Sequence, residues 1–488
     1  MSLMRNQNSR TRRRADDHRC GATVVALLFL TGCTPAIYHG APPPFFLQSL
    51  PLQPRLGPDG QLDRARLALT TEEAATSPAA PIVVPIEQVL RVAVLTHPRI
   101  QAMLETVVQV RADHITASLL PNPSLGVGYS LAPFPGQRFN ATQRQGGPPQ
   151  FDLALGLLVD WLLFGKRAAA IRTAELEVDV ELANYADAGR QLMLGAIDAH
   201  FAVLLAAATR QSLQEEHQQL QAFTALVARQ VELGNATRFE LDRAHTSVAL
   251  THRRLVQAAA DHDNSLIRFR TFLAGAEGSE RAEPAADPIP SPRIDAPQLS
   301  ALLELAERHR PDLVAGKREL ARARAAVVLQ QANAWPWLRL SPGFARQYQS
   351  RAIGFPDVSS WGIGAEMGLP LFDRNQGNIA AAESMARQAE LNLLARRIDV
   401  HAEIAQALRD HQAATAGAAI LDQDAVGAAE RAREGVLAAH ASGSRTLLEV
   451  LDARAACRDV LREQLRARLE LQRTQRRLAA IVGAELGQ

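Results

Sequence analysis

The sequence predicts a mixed architecture: a transmembrane β-barrel shared by three chains, four strands from each, continued by a long antiparallel α-helical barrel, the whole internally duplicated. Three observations predict it. First, the chain runs twice through one order of events about 210 residues apart. His97-Pro98 is matched by Arg310-Pro311, Leu163-Phe164 by Leu371-Phe372, and Gly234, Thr237 and Glu240 by Gly443, Thr446 and Glu449. Second, each copy holds a Pro-free helical run of about 66 residues, roughly 100 Å at 1.5 Å per residue and far beyond a globular helix. Third, each copy holds two strands in which apolar and polar residues alternate.

In chain order, residues 1–32 read as a signal peptide. Arg10, Arg12, Arg13 and Arg14 precede the short apolar run Gly21 to Leu30. Leu30-Thr31-Gly32-Cys33 then has the spacing of a bacterial lipobox, so Cys33 is the expected lipidation site and Thr34 permits sorting to an outer membrane. That N-terminal lipid is the only covalent group expected; no cofactor and no metal site are. Residues 33–84 are rich in Pro and small residues and read as an extended tether. Cys20 lies in the signal and Cys457 stands in a helical segment, so no disulfide framework is expected. No later stretch of 18 apolar residues is found, and no transmembrane helix is expected.

The first structural repeat occupies 85–280: a helix near 100–119, two strands, the long helix 166–233 and a returning helix 237–274. From Phe151 the odd positions run Phe151, Leu153, Leu155, Leu157, Val159, Trp161, Leu163, against Asp152, Gly156 and Asp160 on the other side. Leu125, Val127 and Tyr129 form the shorter partner strand. A Pro-rich linker, 281–297, leads to the second repeat, 298–488. There a helix near 299–334 precedes two strands, the long helix 376–442 and the return 445–481. Trp361, Ile363, Ala365, Met367, Leu369 and Leu371 alternate with Gly362, Gly364, Glu366 and Gly368, while Pro342 interrupts the Leu338, Leu340, Phe344 partner.

One apolar strand face needs either lipid or a covering layer, and the Ala-rich charged helices suit neither side of a soluble sheet. Four strands cannot close, and open edges are not tolerated in lipid. Three chains of four give twelve, enough to enclose an aqueous lumen. The loops 132–149 and 348–357 then face outside.

The formal charge of the whole chain is +2, but residues 1–32 carry six Arg and two acidic residues, so 47 basic and 49 acidic groups remain. That near-neutral balance gives no case for nucleic acid. The 13 His form no HExxH or Cys/His cluster; His245 and His252 share a helix face and no more. Gly362-x-Gly364-x-x-x-Gly368 departs from a nucleotide loop and lies in a strand. No catalytic constellation can be assembled, and an enzyme is not expected.

With the duplicated layout, the turns Gly234-Asn235-Ala236-Thr237 and Gly443-Ser444-Arg445-Thr446, and Glu449-Val450-Leu451-Asp452-Ala453, the chain resembles the TolC-like outer membrane factor family, lipoprotein type, over about 85–485. The resemblance implies a homotrimer in the bacterial outer membrane, its helical part in the periplasm. That trimer is an efflux exit duct, opened by a periplasmic adaptor and energised by an inner-membrane transporter, of the RND type, with outer-membrane lipid around the barrel. It further implies an aperture ring at Glu449 and Asp452 and a gate latch between Glu240 and Arg445. Adaptor-contact tips are implied at Gly234, Thr237, Gly443 and Thr446. Glu449 stands where the family has Asp, and His440 where an aromatic gate residue can occur. The alternatives are the exit duct of a type I secretion system and a periplasmic coiled-coil scaffold lipoprotein without a pore.

Overall fold

The computed structural model describes residues 81–130, 148–234, 236–286, 298–350, 354–442 and 444–483. The signal peptide, Cys33, most of the tether, most of the 132–149 loop and Gly443 lie outside the described residues. In chain order the elements are β1 (Ile82–Val84), α1 (Ile86–Thr96), α2 (Pro98–Ser118), β2 (Ser124–Ser130), β3 (Gln150–Leu158), α3 (Lys166–Glu232) and α4 (Arg238–Phe272). They continue as β4 (Ala282–Pro284), α5 (Leu299–His309), α6 (Pro311–Asn333), β5 (Leu338–Gln347), β6 (Val358–Met367), α7 (Gln376–Ile420), α8 (Val426–Ala441) and α9 (Leu447–Val482).

Four strands form one antiparallel sheet in the order β2-β3-β5-β6. The register carries the alternation across the strands. Val127 faces Leu153, Leu153 faces Phe344, and Phe344 faces Trp361, so one face is a continuous apolar row. The next row on the opposite face is Gly126, Ala154, Gly343 and Gly362. Among the described residues nothing covers the apolar face: Leu125, Val127, Tyr129, Trp361 and Ile363 are all exposed, Ile363 at 82%. β2 and β6 each have one unpaired edge.

Two strand expectations are corrected. β3 ends at Leu158 and β6 at Met367, so Trp161, Leu163, Leu369 and Leu371 lie beyond the ladder, in the connections to the helices. β5 runs through Pro342 without stopping. Pro342 pairs with Ile363 of β6, but the pairing with β3 skips from Gly343–Ala154 to Leu340–Leu157, because Pro has no N–H to give that side.

The helices repeat the strand order. α2 leads into β2, α3 leaves β3, α6 leads into β5 and α7 leaves β6, and α3 packs on α2 and α6 while α6 packs on α7. Further from the sheet, α4 returns along α3 and α9 lies between α3 and the α7–α8 run. α3 survives at 67 residues because its whole length is packed: Val180, Ile197, Leu213, Phe223 and Val227 are all buried. By length and composition α3 also holds an apolar window able to cross a membrane, contrary to expectation, but its partners α2, α4, α6 and α9 place it among helices.

Three helix expectations also change. The second long run is not one helix: a π-helical turn, Leu421–Ala425, separates α7 from α8. Asp422 in that turn accepts hydrogen bonds from Arg468 Nη2 (2.7 Å) and Gln464 Nε2 (2.6 Å) of α9, which hold the widened turn in place. The 299–334 helix is broken at Arg310, because Pro311 starts a new helix and forces the preceding residue out of helical conformation. A further helix, α1, precedes Pro98.

The described end of the tether and the start of the linker pair with each other. β1 and β4 pair in parallel, Ile82 with Ala282 and Val84 with Pro284, at mid-height of the bundle. Their residues Ile82, Val84 and Ala282 are buried with Val89, Ala196, Phe269 and Leu273. A second cluster joins Leu302, Leu313, Ile404, Leu478 and Ile481. Beside it Arg310, 3% exposed, bridges Asp312 (2.9 Å), Glu403 and the carbonyl of Ile481 (3.2 Å), pinning the helix break to α7 and α9. Removing both carboxylates would strand a buried charge.

Candidate functional site

The end of the bundle far from the sheet is made of two helical hairpins, α3–α4 and α8–α9. Gly234 ends α3 with φ +80°, a left-handed conformation open to Gly at little cost. Thr237 then caps α4. Its hydroxyl accepts from the N–H of Glu240 (3.3 Å), and the Glu240 carboxylate accepts from the N–H of Thr237 (2.8 Å) and from its hydroxyl (2.9 Å). The second hairpin repeats this box: Thr446 Oγ1 accepts from Glu449 N (3.4 Å), and Glu449 Oε2 accepts from Thr446 N (2.8 Å) and Oγ1 (3.1 Å).

These bonds decide what each carboxylate can do. The Thr237 N–H, then its hydroxyl, hold Glu240 below the ordinary Glu range. Glu449 is lowered by the Thr446 N–H first and then by Arg445, whose Nη1 donates to Glu449 Oε1 at 2.6 Å. The expected Glu240–Arg445 latch is therefore not formed within the chain. Arg445 reaches the carboxylate four residues on in its own first turn, and Glu240 is occupied by its cap. Glu449 carries a charge already offset by Arg445, whereas Asp452 is exposed on the next turn and has no ion pair among the described residues. Of the two expected ring carboxylates, Asp452 is the uncompensated one.

Sequence reasoning placed His440 at the gate position but not its partner. The His440 Nδ1 lies 2.9 Å from the carbonyl of Arg445, tying the end of α8 across the turn to the start of α9. Nor did it find Glu216, 5% exposed in α3, which receives Arg458 (3.2 Å) and Arg462 (2.8 Å) from α9. The i, i+4 spacing of those arginines was legible; the acid across from them was not. His245 is not drawn to His252; instead His217 of α3 lies 5.1 Å from it, ring centre to ring centre. Among the described residues no group of three metal-ligating side chains converges.

At the other end, the small-residue sheet face meets the helices near Arg339 and Glu366, 3.5 Å apart. The apolar face ends in aromatic side chains at the same level, with Phe164 stacked on Trp335 at 4.9 Å. Aromatic rims beside an exposed apolar band are the marks of a strand wall seated in lipid.

A sheet with a lipid-suited face and two open edges, prolonged by helices that follow the order of its strands, defines a membrane duct subunit. The comparisons agree. The outer membrane efflux protein family model matches residues 90–275 and 302–484, one match for each repeat, and the chain belongs to that family. Its place is the outer membrane and its activity is efflux.

Over 292 residues the chain is 28% identical to the cobalt-zinc-cadmium resistance protein CzcC of Cupriavidus metallidurans, covering 60% of this chain and 67% of that one. Over 320 residues it is 24% identical to the pyoverdine export outer membrane protein OpmQ of Pseudomonas aeruginosa, covering 63% and 65%. Among solved structures it resembles CusC at TM-score 0.67 and 18% identity, over 83% of this chain and 93% of that one. The Campylobacter jejuni CmeC outer membrane channel gives TM-score 0.68 at 17% identity, over 82% and 85%.

Proposed function

We propose that three copies of this chain close one continuous passive duct, the exit stage of a tripartite efflux pump. The observation that carries this is the four-stranded sheet that, among the described residues, has both edges unpaired and its apolar face uncovered. Three such sheets joined β6 to β2 satisfy every edge, and the helices, ordered as the strands are, close in the same sense. The capped tips at Thr237 and Thr446, the first with Leu233 and Phe239 exposed beside it, supply the surface for a periplasmic adaptor. An inner-membrane transporter of the RND type supplies the energy, and a lipid on Cys33 adds an anchor. Asp452 carries the aperture charge, with Glu449 as the cap that orients its turn; three copies give a ring of carboxylates that draws cations. A passive duct is compatible with varied cargo, and the relatives' names run from metal resistance to pyoverdine export.

The test is planar-bilayer conductance of the purified trimer, wild type beside Asp452→Ala, with an unheated gel to verify the oligomer. Small cation-selective channels that lose selectivity in the variant support both duct and ring. A verified trimer whose selectivity ignores Asp452 removes the ring. A monomer without conductance removes the duct and favours a scaffold lipoprotein.

A further inference from the structure

Along one side of the bundle, between α3, α8 and α9, runs a groove of about 710 Å³. At 1.5 Å per residue it spans roughly 10–40 Å above the α3 tip, well away from the sheet. All its walls belong to one chain, so it needs neither a second copy nor the duct reading to exist.

Two chemistries line it. Phe223 and Leu226 of α3 face Leu461 and Leu465 of α9 with apolar surface. Four arginines, Arg433, Arg454, Arg458 and Arg462, share the groove with only two acids, Glu215 and Glu216. Glu216 is spent on Arg458 and Arg462. Outside the lining, Asp459 lies 3.3 Å from Arg462 and Glu434 3.6 Å from Arg433. The pairing remains incomplete: the Nε atoms of Arg433, Arg458 and Arg462 are buried and have no hydrogen-bond partner. A buried donor without an acceptor is costly, and three within one groove are an excess of donors over acceptors. Arg454 lies over the Phe223 ring at 5.8 Å, so charge and apolar surface adjoin.

We infer that this groove binds a small amphipathic anion, its apolar body on Phe223, Leu226, Leu461 and Leu465 and its carboxylate, sulfonate or phosphate among the arginines. A guanidinium already held through one edge keeps further N–H donors for a planar or tetrahedral oxyanion. A cationic amphiphile would meet the same apolar strip and the opposite field.

The experiment uses the full chain in lipid nanodiscs, with empty nanodiscs subtracted, and 1-anilinonaphthalene-8-sulfonate as the fluorescent probe. The expected result is saturable binding displaced by octanoate but not by octanol or octyltrimethylammonium. Arg433→Gln/Arg454→Gln removes two positive charges while leaving the Glu216 pairs in place, and it weakens the probe roughly tenfold. Arg387→Gln, an exposed change on α7, leaves binding unchanged. Equal displacement by the neutral or cationic octyl compound overturns the proposal. So does unaltered probe affinity in a folded double variant, and so does the absence of any protein-dependent signal.

Discussion

Thr446 and Glu449 hold the second tip as Thr237 and Glu240 hold the first, so the carboxylate three residues into each returning helix is a cap before it is anything else. Thr446→Ala removes the acceptor of one helix-end N–H and is expected to cost about 1 kcal/mol at that helix end, seen as faster amide exchange over the first turn of α9. Glu449 adds a pH dependence of known sign. Its carboxyl is lowered in the folded chain by the Thr446 N–H and Arg445, so its contribution is present above the ordinary Glu range and is lost as pH falls through the lowered value. A second residue-scale effect sits at mid-height. His200 is 1% exposed, edge-on to Phe201 and Phe269, and burial first, then Arg476, lower it to about 4, against the opposing pull of Glu87 and the Ala285 backbone. The folded chain keeps the imidazole neutral where the unfolded chain protonates it. Stability therefore falls from about pH 6.5 to about pH 4, by on the order of 3 kcal/mol, and then levels off. Thermal melting of His200→Phe beside wild type across that window checks this; a variant with an equally steep acid limb refutes it.

Two glycines inside the long helices show how unequal their packing is. A Cβ on Gly195 of α3 would meet the Phe272 ring of α4 at 2.8 Å, whereas a Cβ on Gly417 of α7 would meet nothing within 4 Å. Gly195→Val is expected to destabilise by about 1–3 kcal/mol through overpacking. Gly417→Ala is expected to stabilise by about 0.5–1 kcal/mol, since only helix propensity changes. Denaturant midpoints of the two variants separate the cases. This inequality also marks what was legible in the sequence. The long helices, the alternating strands and the capped Gly turns depend on residues within a few positions, and periodicity displays them. The β1–β4 pair, the Arg310 cluster and the salt bridges at Glu216 join residues far apart in the chain, and no local pattern carries them. The π-turn lies between: Asp422 and Arg468 are ordinary helix-surface residues until α9 lies beside α7. The tip shows the same limit within one chain. Glu240, Arg445 and Glu449 were legible as charges near turns, but which charge meets which depends on the caps, and capping gives Glu449 to Arg445.

At the scale of the whole molecule the strand wall makes the strongest claim, because neighbouring residues on it face different media. Ile363 and Gly364 adjoin in β6, an edge strand; Ile363 lies on the apolar face and is 82% exposed, while Gly364 lies on the small-residue face opposite Ser341. If the apolar face meets lipid, Ile363→Arg places a charge in hydrocarbon at a cost of roughly 2–4 kcal/mol per chain near mid-membrane. Gly364→Arg then places the same charge toward an aqueous lumen, where it is solvated. The two variants differ by one position and carry equal charge, so a general effect of arginine does not separate them. The expected outcome is a steep loss of outer-membrane trimer for Ile363→Arg. Gly364→Arg is expected to form a normal amount of trimer, with lower single-channel conductance and a shift toward anions. A soluble sheet covered by another layer would give the loss at Ile363 without any conductance to alter at Gly364. Equal trimer yield for both would mean that the face of the sheet does not decide its surroundings, and the shared barrel would fall with it.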